Sequence, residues 1–314
     1  MSDTRFASGR TISFLTSAIM ITGIGLIAPA AAQTQDSTGS VEQVALVSDA
    51  PDRLELVSHL RALSQEVAAA SCALAMGIEA EKSRDMLTTA AQDFDRYIGA
   101  LRDGNPDLGT MVAETDRQIL SSIEEVEAVW QTVSVSVSAV LADPSDVESA
   151  HTVDDHNGFL LGLTNQLASD VRGRYTNPFL VSARDSMMLE LAGRQLMLTQ
   201  KMAKDICEIW SGHNAETGRA ELIETMEVYK NSLQALRHGM PAAGIPEAPT
   251  EEIAAGLDGL HMRWAGIELG LQAELDREAS TGERREGLFI KLQQEMAVLE
   301  TLLTQYREYA ERLL

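Results

Sequence analysis

Two stretches of this chain carry side chains whose type and spacing suit chemistry. Residues 55–72 read ELVSHLRALSQEVAAASC, and residues 190–207 read ELAGRQLMLTQKMAKDIC. In the first, Arg61 and Gln65 stand one helical turn apart on a face otherwise made of Leu54, Val57, Ala68, Cys72 and Met76. The matching face of the second is Leu189, Ala192, Leu196, Gln200, Ala203, Cys207 and Ser211. An arginine on an apolar face needs a partner, because burying an unpaired charge is costly. A structural carboxylate, a bound anion or a turn of the side chain toward solvent would each meet that need. A guanidinium fork suits a planar oxyanion through two parallel hydrogen bonds. Gln65 and Gln200 are placed to donate further bonds, and the small Ala68 and Ala203 permit close helix approach.

Other groupings point to less. Glu148-x-x-His151 is half of a di-metal carboxylate signature, and no symmetric Glu-x-x-His occurs later. His151, Asp154, Asp155 and His156 offer ligands to a stray divalent ion or, more simply, form a solvated loop. Met187, Met188, Met197 and Met202 read as core filler rather than copper ligands. The sequence has no Cys-x-x-Cys-His, no Gly-rich phosphate loop and no nucleophile with a base at motif spacing. The expectation is therefore no metal, no cofactor and no enzyme.

The elements that must position these residues are helices. Aromatics make up 4% of 314 residues and only 8 prolines interrupt the chain, while Ala, Leu, Glu, Gln and Met, strong helix formers, dominate. The one β-like run, VSVSV at 133–137, sits inside a longer helical pattern. The formal net charge of −22 argues against nucleic acid and disfavours anionic lipid, so any bound anion must be held locally.

At the N-terminus, Arg5 and Arg10 precede an apolar run and then small residues at Ala30 and Ala32. This pattern predicts a signal peptide over 1–32, cleaved after Ala32, and a periplasmic protein; the alternative is an uncleaved segment anchoring it to the inner membrane. Residues 33–50 read as a flexible lead-in.

Sliding the sequence on itself by 135 positions aligns 53–104 with 188–239 without a gap, and 16 of the 52 pairs are identical, which establishes an internal duplication. The pairs include Glu55/Glu190, Leu63/Leu198, Gln65/Gln200, Cys72/Cys207 and Gly104/Gly239. Trp130 matches Trp264 at a shift of 134, and Gly158 matches Gly287 at 129. Each copy reads as four helices: 51–77, 79–103, 112–142 and 145–172, then 179–211, 215–238, 250–277 and 282–313. Thr250, followed by Glu251 and Glu252, has the character of an N-terminal cap. The fold expected is all-α, two tandem antiparallel four-helix bundles, with copies at 51–175 and 179–314.

The segment LAGRQLMLTQKMAKD resembles the signature of the PilJ-type, nitrate-sensor-like domain, which runs roughly Gly-Arg-Gln-Arg-Met-Leu-Ser-Gln-Arg. Gly193, Arg194, Gln195, Met197, Leu198, Gln200 and Ala203 match it; Thr199 and Lys201 replace Ser and Arg conservatively. The first copy keeps Arg61, Leu63, Ser64, Gln65 and Ala68. The resemblance implies a periplasmic four-helix sensory bundle of the kind found in type IV pili chemotaxis transducers and nitrate-sensing kinases. In nitrate-sensing relatives two bundles pair, and an arginine from each first helix holds one nitrate between them. Those positions here are Arg61 and Leu196, so half of the arginine pair is missing. Arg194 is a further candidate, although it lies about 200° around the helix from Leu196.

The function expected is thus a ligand-binding or sensory module, with Arg61, Gln65, Gln200 and Arg194 as ligand residues for a small oxyanion such as nitrate or nitrite. With no second span or signalling helix in the sequence, its output would pass through a membrane sensor or transducer. The alternative is a structural or interaction scaffold whose ligand site has decayed. If the two copies replace the family's dimer, the chain is a monomer, an internal pseudo-dimer, and equivalent residues near the dyad meet. Cys72 and Cys207 would then be bonded to each other; the alternative is two buried free thiols.

Overall fold

The computed structural model describes residues 49–176, 181–277 and 279–312. The expected signal segment and nearly all of the lead-in lie outside the described residues. Among those described there are eight α-helices and no strand: α1 Ala50–Ala75, α2 Ala80–Asp103, α3 Arg117–Ala142, α4 Val147–Tyr175, α5 Ala183–Ser211, α6 Ala215–His238, α7 Glu251–Leu275 and α8 Gly282–Glu311. They form two tandem antiparallel four-helix bundles, α1–α4 and α5–α8.

Local chemistry sets the boundaries. Asp116, Asp146, Ser182 and Thr250 each accept hydrogen bonds from the first backbone N–H groups of the helix that follows. In the 133–137 run, Val133 and Val137 are buried while Val135 is exposed, the helical rather than the strand period. The third helix begins at Arg117 rather than at 112 because the chain before it is committed elsewhere. Asp49 Oδ2 accepts from the Met111 and Val112 amides, and Glu114 Oε1 accepts from the Thr115 and Asp116 amides.

The duplication is visible in three dimensions. Gly104 and Gly239 take φ of +79° and +72°, and a Cβ on either would come within 2.9 Å of the backbone at Val112 or Glu247. Each then leads through a short 3-10 turn, Pro106–Leu108 or Pro241–Ala243. Phe94 stacks on Trp130 with ring centroids 4.1 Å apart, and Tyr229 meets Trp264 at 4.5 Å. One reading of the repeat is corrected here: Gly158 is not the counterpart of Gly287. Arg172 pairs with Glu190 and Arg307 with Glu55, so the fourth helices keep the shift of 135 and Gly158 corresponds to Gln293. The two glycines carried no packing information, since a Cβ at either meets open space.

The first helices form the centre. α1 and α5 run parallel and in register, with α4 and α8 packed beside them. Because α1 is enclosed on several sides, it is buried almost all round, including Arg53, Arg61, Ser64 and Gln65. Gly193 lets α5 approach Ser58, its own counterpart in the repeat, and Cys72 is bonded to Cys207 with their Cα atoms 6.2 Å apart. Equivalent residues meeting at both ends of the contact define an internal dyad running along the helix pair. Among the described residues no helix is long and apolar enough to cross a membrane.

Candidate functional site

Arg61 sits near the middle of α1, 4% exposed. Its two terminal nitrogens donate to the two carboxylate oxygens of Glu190 on α5, at 2.8 and 3.0 Å. Glu190 is shared: Arg172 on α4 lies 3.2 Å from its Oε2. The mirror position across the dyad keeps only the outer half of this arrangement. There Arg307 contacts Glu55 at 2.7 Å, Thr304 donates to it, and Leu196, fully buried, stands where a second central arginine would be. Burial works to raise the Glu55 carboxyl, but His59 and Arg307 outweigh it and hold it below the ordinary range.

Around this pair lies a row of buried polar groups with incomplete bonding. Gln65 donates to Ser64 Oγ at 3.3 Å, while its Oε1 has no partner among the described residues. Neither polar atom of Gln195 has one, and the same holds for Arg61 Nε. Gln200 and Gln293 face each other at 3.4–3.5 Å. Gln65 reaches the floor of a cleft of about 580 Å³ between α4 and α6, and Arg194 stands on its wall. Arg194 also lines a second depression of about 740 Å³ with Arg172, Glu190 and Ser186. Arg61, Gln65 and Gln200 thus lie buried along the central seam, whereas Arg194 lies on its outer side.

The C-terminal half of α5 carries a cluster of charged side chains beside its buried apolar residues. Lys204 contacts Asp205 at 3.0 Å and Glu208 at 2.7 Å, and Lys201 bridges Asp205 and Glu221. The Glu208 carboxyl is pushed up to about 8, first by burial and then by the facing carboxyl of Asp154. The lysines of the signature are therefore neutralised internally.

The family model described as PilJ, Type IV pili methyl-accepting chemotaxis transducer N-term, matches residues 54–156 and 181–286, one segment in each bundle. The chain belongs to the PilJ family. No curated protein matches it. PilJ is a sensory, transducer-associated domain, and this chain carries it twice, paired through the first helices. In this PilJ pair, Gly193 of the signature makes the close helix contact, Arg194 faces outward, Gln195 is buried, and Leu196 is packed into the core.

Sequence reasoning missed Glu190, although its identity with Glu55 in the repeat was a signal. It also missed Arg53, fully buried, which donates to the Leu101 and Val112 carbonyls and pairs with Glu114, itself bonded by Tyr175 at 2.7 Å. That cluster locks the start of α1 to the end of α4 and is structural. The group His151, Asp154, Asp155 is on helix α4 rather than in a loop, and His213 from the second bundle joins it; His156 instead bonds the Thr152 carbonyl one turn back.

Proposed function

We propose that this PilJ pair is a non-enzymatic periplasmic sensory module, exported by its N-terminal segment, that takes a small planar oxyanion of the nitrate class at Arg61. The observation carrying this reading is the sharing of Glu190 between Arg61 and Arg172. A planar carboxylate already sits in the guanidinium fork, making the two parallel bonds a nitrate would make. An arriving anion displaces Glu190 onto Arg172, which it already touches, so no charge is stranded. Gln195 Nε2, which has no partner among the described residues, and Gln65 Nε2, held only by a 3.3 Å bond to Ser64 Oγ, are the amide donors on these two helices for completing the shell. The signal is the release of a contact that joins α1 of one copy to α5 of the other, read by a membrane transducer.

Calorimetry with nitrate and nitrite tests this. The wild type binds weakly because Glu190 competes; Glu190→Gln removes that charge and binds at least tenfold more tightly; Arg61→Leu abolishes binding. Absence of heat in both the wild type and Glu190→Gln overturns the reading.

A second reading has a specific observation behind it. Both terminal nitrogens of Arg61 are taken by an internal carboxylate, and Leu196 fills the other arginine position. Both are what an interaction scaffold with a decayed ligand site would carry, and the same calorimetry separates the two.

A further inference from the structure

Near the disulfide, at the end of the pair remote from Arg61, the two copies differ. Where the second copy has His213, the first has Ile78, 4% exposed; where the first has Asp154 and Asp155, the second has Phe289 and Ile290. One half of the pseudo-dimer is thus apolar at these positions, and the other holds ligand-type side chains from both copies. His213 lies in the turn between α5 and α6, set by left-handed backbone at Gly212 and Asn214. Its Nε2 is 2.9 Å from Asp155 Oδ1 and 3.6 Å from Asp154 Oδ2. The three donor atoms all lie within 4.8 Å of one another. A tetrahedral site with metal–ligand bonds of about 2.1 Å has ligand atoms about 3.4 Å apart, so little movement is needed to close around an ion.

Three further features favour a cation. His151, one turn before Asp154, stacks on the His213 ring at 3.7 Å with 7° between the planes, which fixes the direction of the imidazole. Asn214 Nδ2 donates to both aspartates, at 3.0 and 3.1 Å, so the carboxylates already converge on one donor. Glu208, 4% exposed, has an Oε2 with no hydrogen-bond partner among the described residues. It lines a cavity of about 280 Å³ together with Asp154, His151 and His213. The other oxygen of Glu208 accepts from Lys204 Nζ at 2.7 Å, so Oε2 is an unused buried acceptor beside the two aspartates rather than a bare charge.

We propose that Asp154, Asp155 and His213 bind one first-row divalent cation, for which Zn²⁺ is the natural probe, and that the ion ties α4 of the first copy to the α5–α6 turn of the second. One imidazole and two carboxylates are a borderline donor set that suits Zn²⁺ over Mg²⁺. The site is separate from Arg61, and its ligands are not those of the anion reading.

Titration calorimetry of the purified protein with zinc chloride alone tests the proposal, alongside His213→Ala, Asp155→Asn and, as a surface control, Glu216→Gln. The expected result is one equivalent bound by wild type and by Glu216→Gln, with affinity at least tenfold weaker in the other two and little response to magnesium. Asp155 is largely exposed, so Asp155→Asn reports on the site without threatening the fold. No stoichiometric zinc binding by wild type, or wild-type affinity in both site variants, would overturn it and mark the uptake as diffuse attraction to an acidic surface.

Discussion

Gly193 lies against Ser58 so closely that a Cβ on the glycine would be 2.4 Å from the serine Cβ and Oγ. These residues are counterparts in the repeat, so the contact lies at the internal dyad. It follows that Gly193→Ala is destabilising by about 1–3 kcal/mol through overpacking, although alanine is the better helix former by about 1 kcal/mol. Ser58→Gly should recover much of the loss in the double variant. Denaturant unfolding of the four proteins in a double-mutant cycle checks this, and strict additivity would contradict it.

The Arg61–Glu190 pair makes an asymmetric prediction. Glu190→Ala strands a buried guanidinium and should cost about 3–5 kcal/mol. Arg61→Leu, which copies the Leu196 arrangement, leaves Glu190 with Arg172 at a partly exposed position and should cost clearly less. Equal losses in chemical denaturation would show that the two arginines do not share the carboxylate.

Acid–base behaviour follows from Glu66. Burial, then the charges of Glu300 and Asp93, push its carboxyl up to about 8. The folded protein keeps this proton to about pH 8, whereas the unfolded chain releases it near the ordinary carboxylate value. Its contribution is therefore fully present at acidic pH and lost as pH rises through the window up to about 8. Glu66→Gln should flatten the fall in melting temperature across that window and change little near pH 5. A variant whose pH profile parallels wild type would contradict this assignment.

Oligomeric state is predicted by the same dyad. The face through which PilJ bundles would pair is already used in cis, so sedimentation at micromolar concentration should give a monomer. A dimer would mean that a second surface does the pairing.

Much of the fold was legible because helix signals are local. The α6 boundaries, 215–238, are those the sequence gives, and Thr250 caps α7 as its position before two glutamates suggests. The start of α3 was not legible, because the preceding segment is held by Asp49, about sixty residues earlier. The site was legible only in part. Arg61 and Gln65 announce themselves as polar groups on an apolar face. Glu190, the partner of Arg61, depends on the register between α1 and α5, which no spacing within one helix encodes. His213 was invisible for the same reason: its turn meets Asp155 only once the two copies are docked.

The central claim is that the two copies pair within one chain along their first helices, and the Cys72–Cys207 bond tests it most directly. In the chain-entropy account a bridge closing so long a loop contributes up to about 5 kcal/mol. The measurement is non-reducing peptide mapping, after alkylation, of a protein prepared by mixing isotopically light and heavy chains before oxidation. The account predicts a single linked peptide joining Cys72 to Cys207, all light or all heavy. Mixed-isotope peptides, or two alkylated cysteines without reductant, would contradict it.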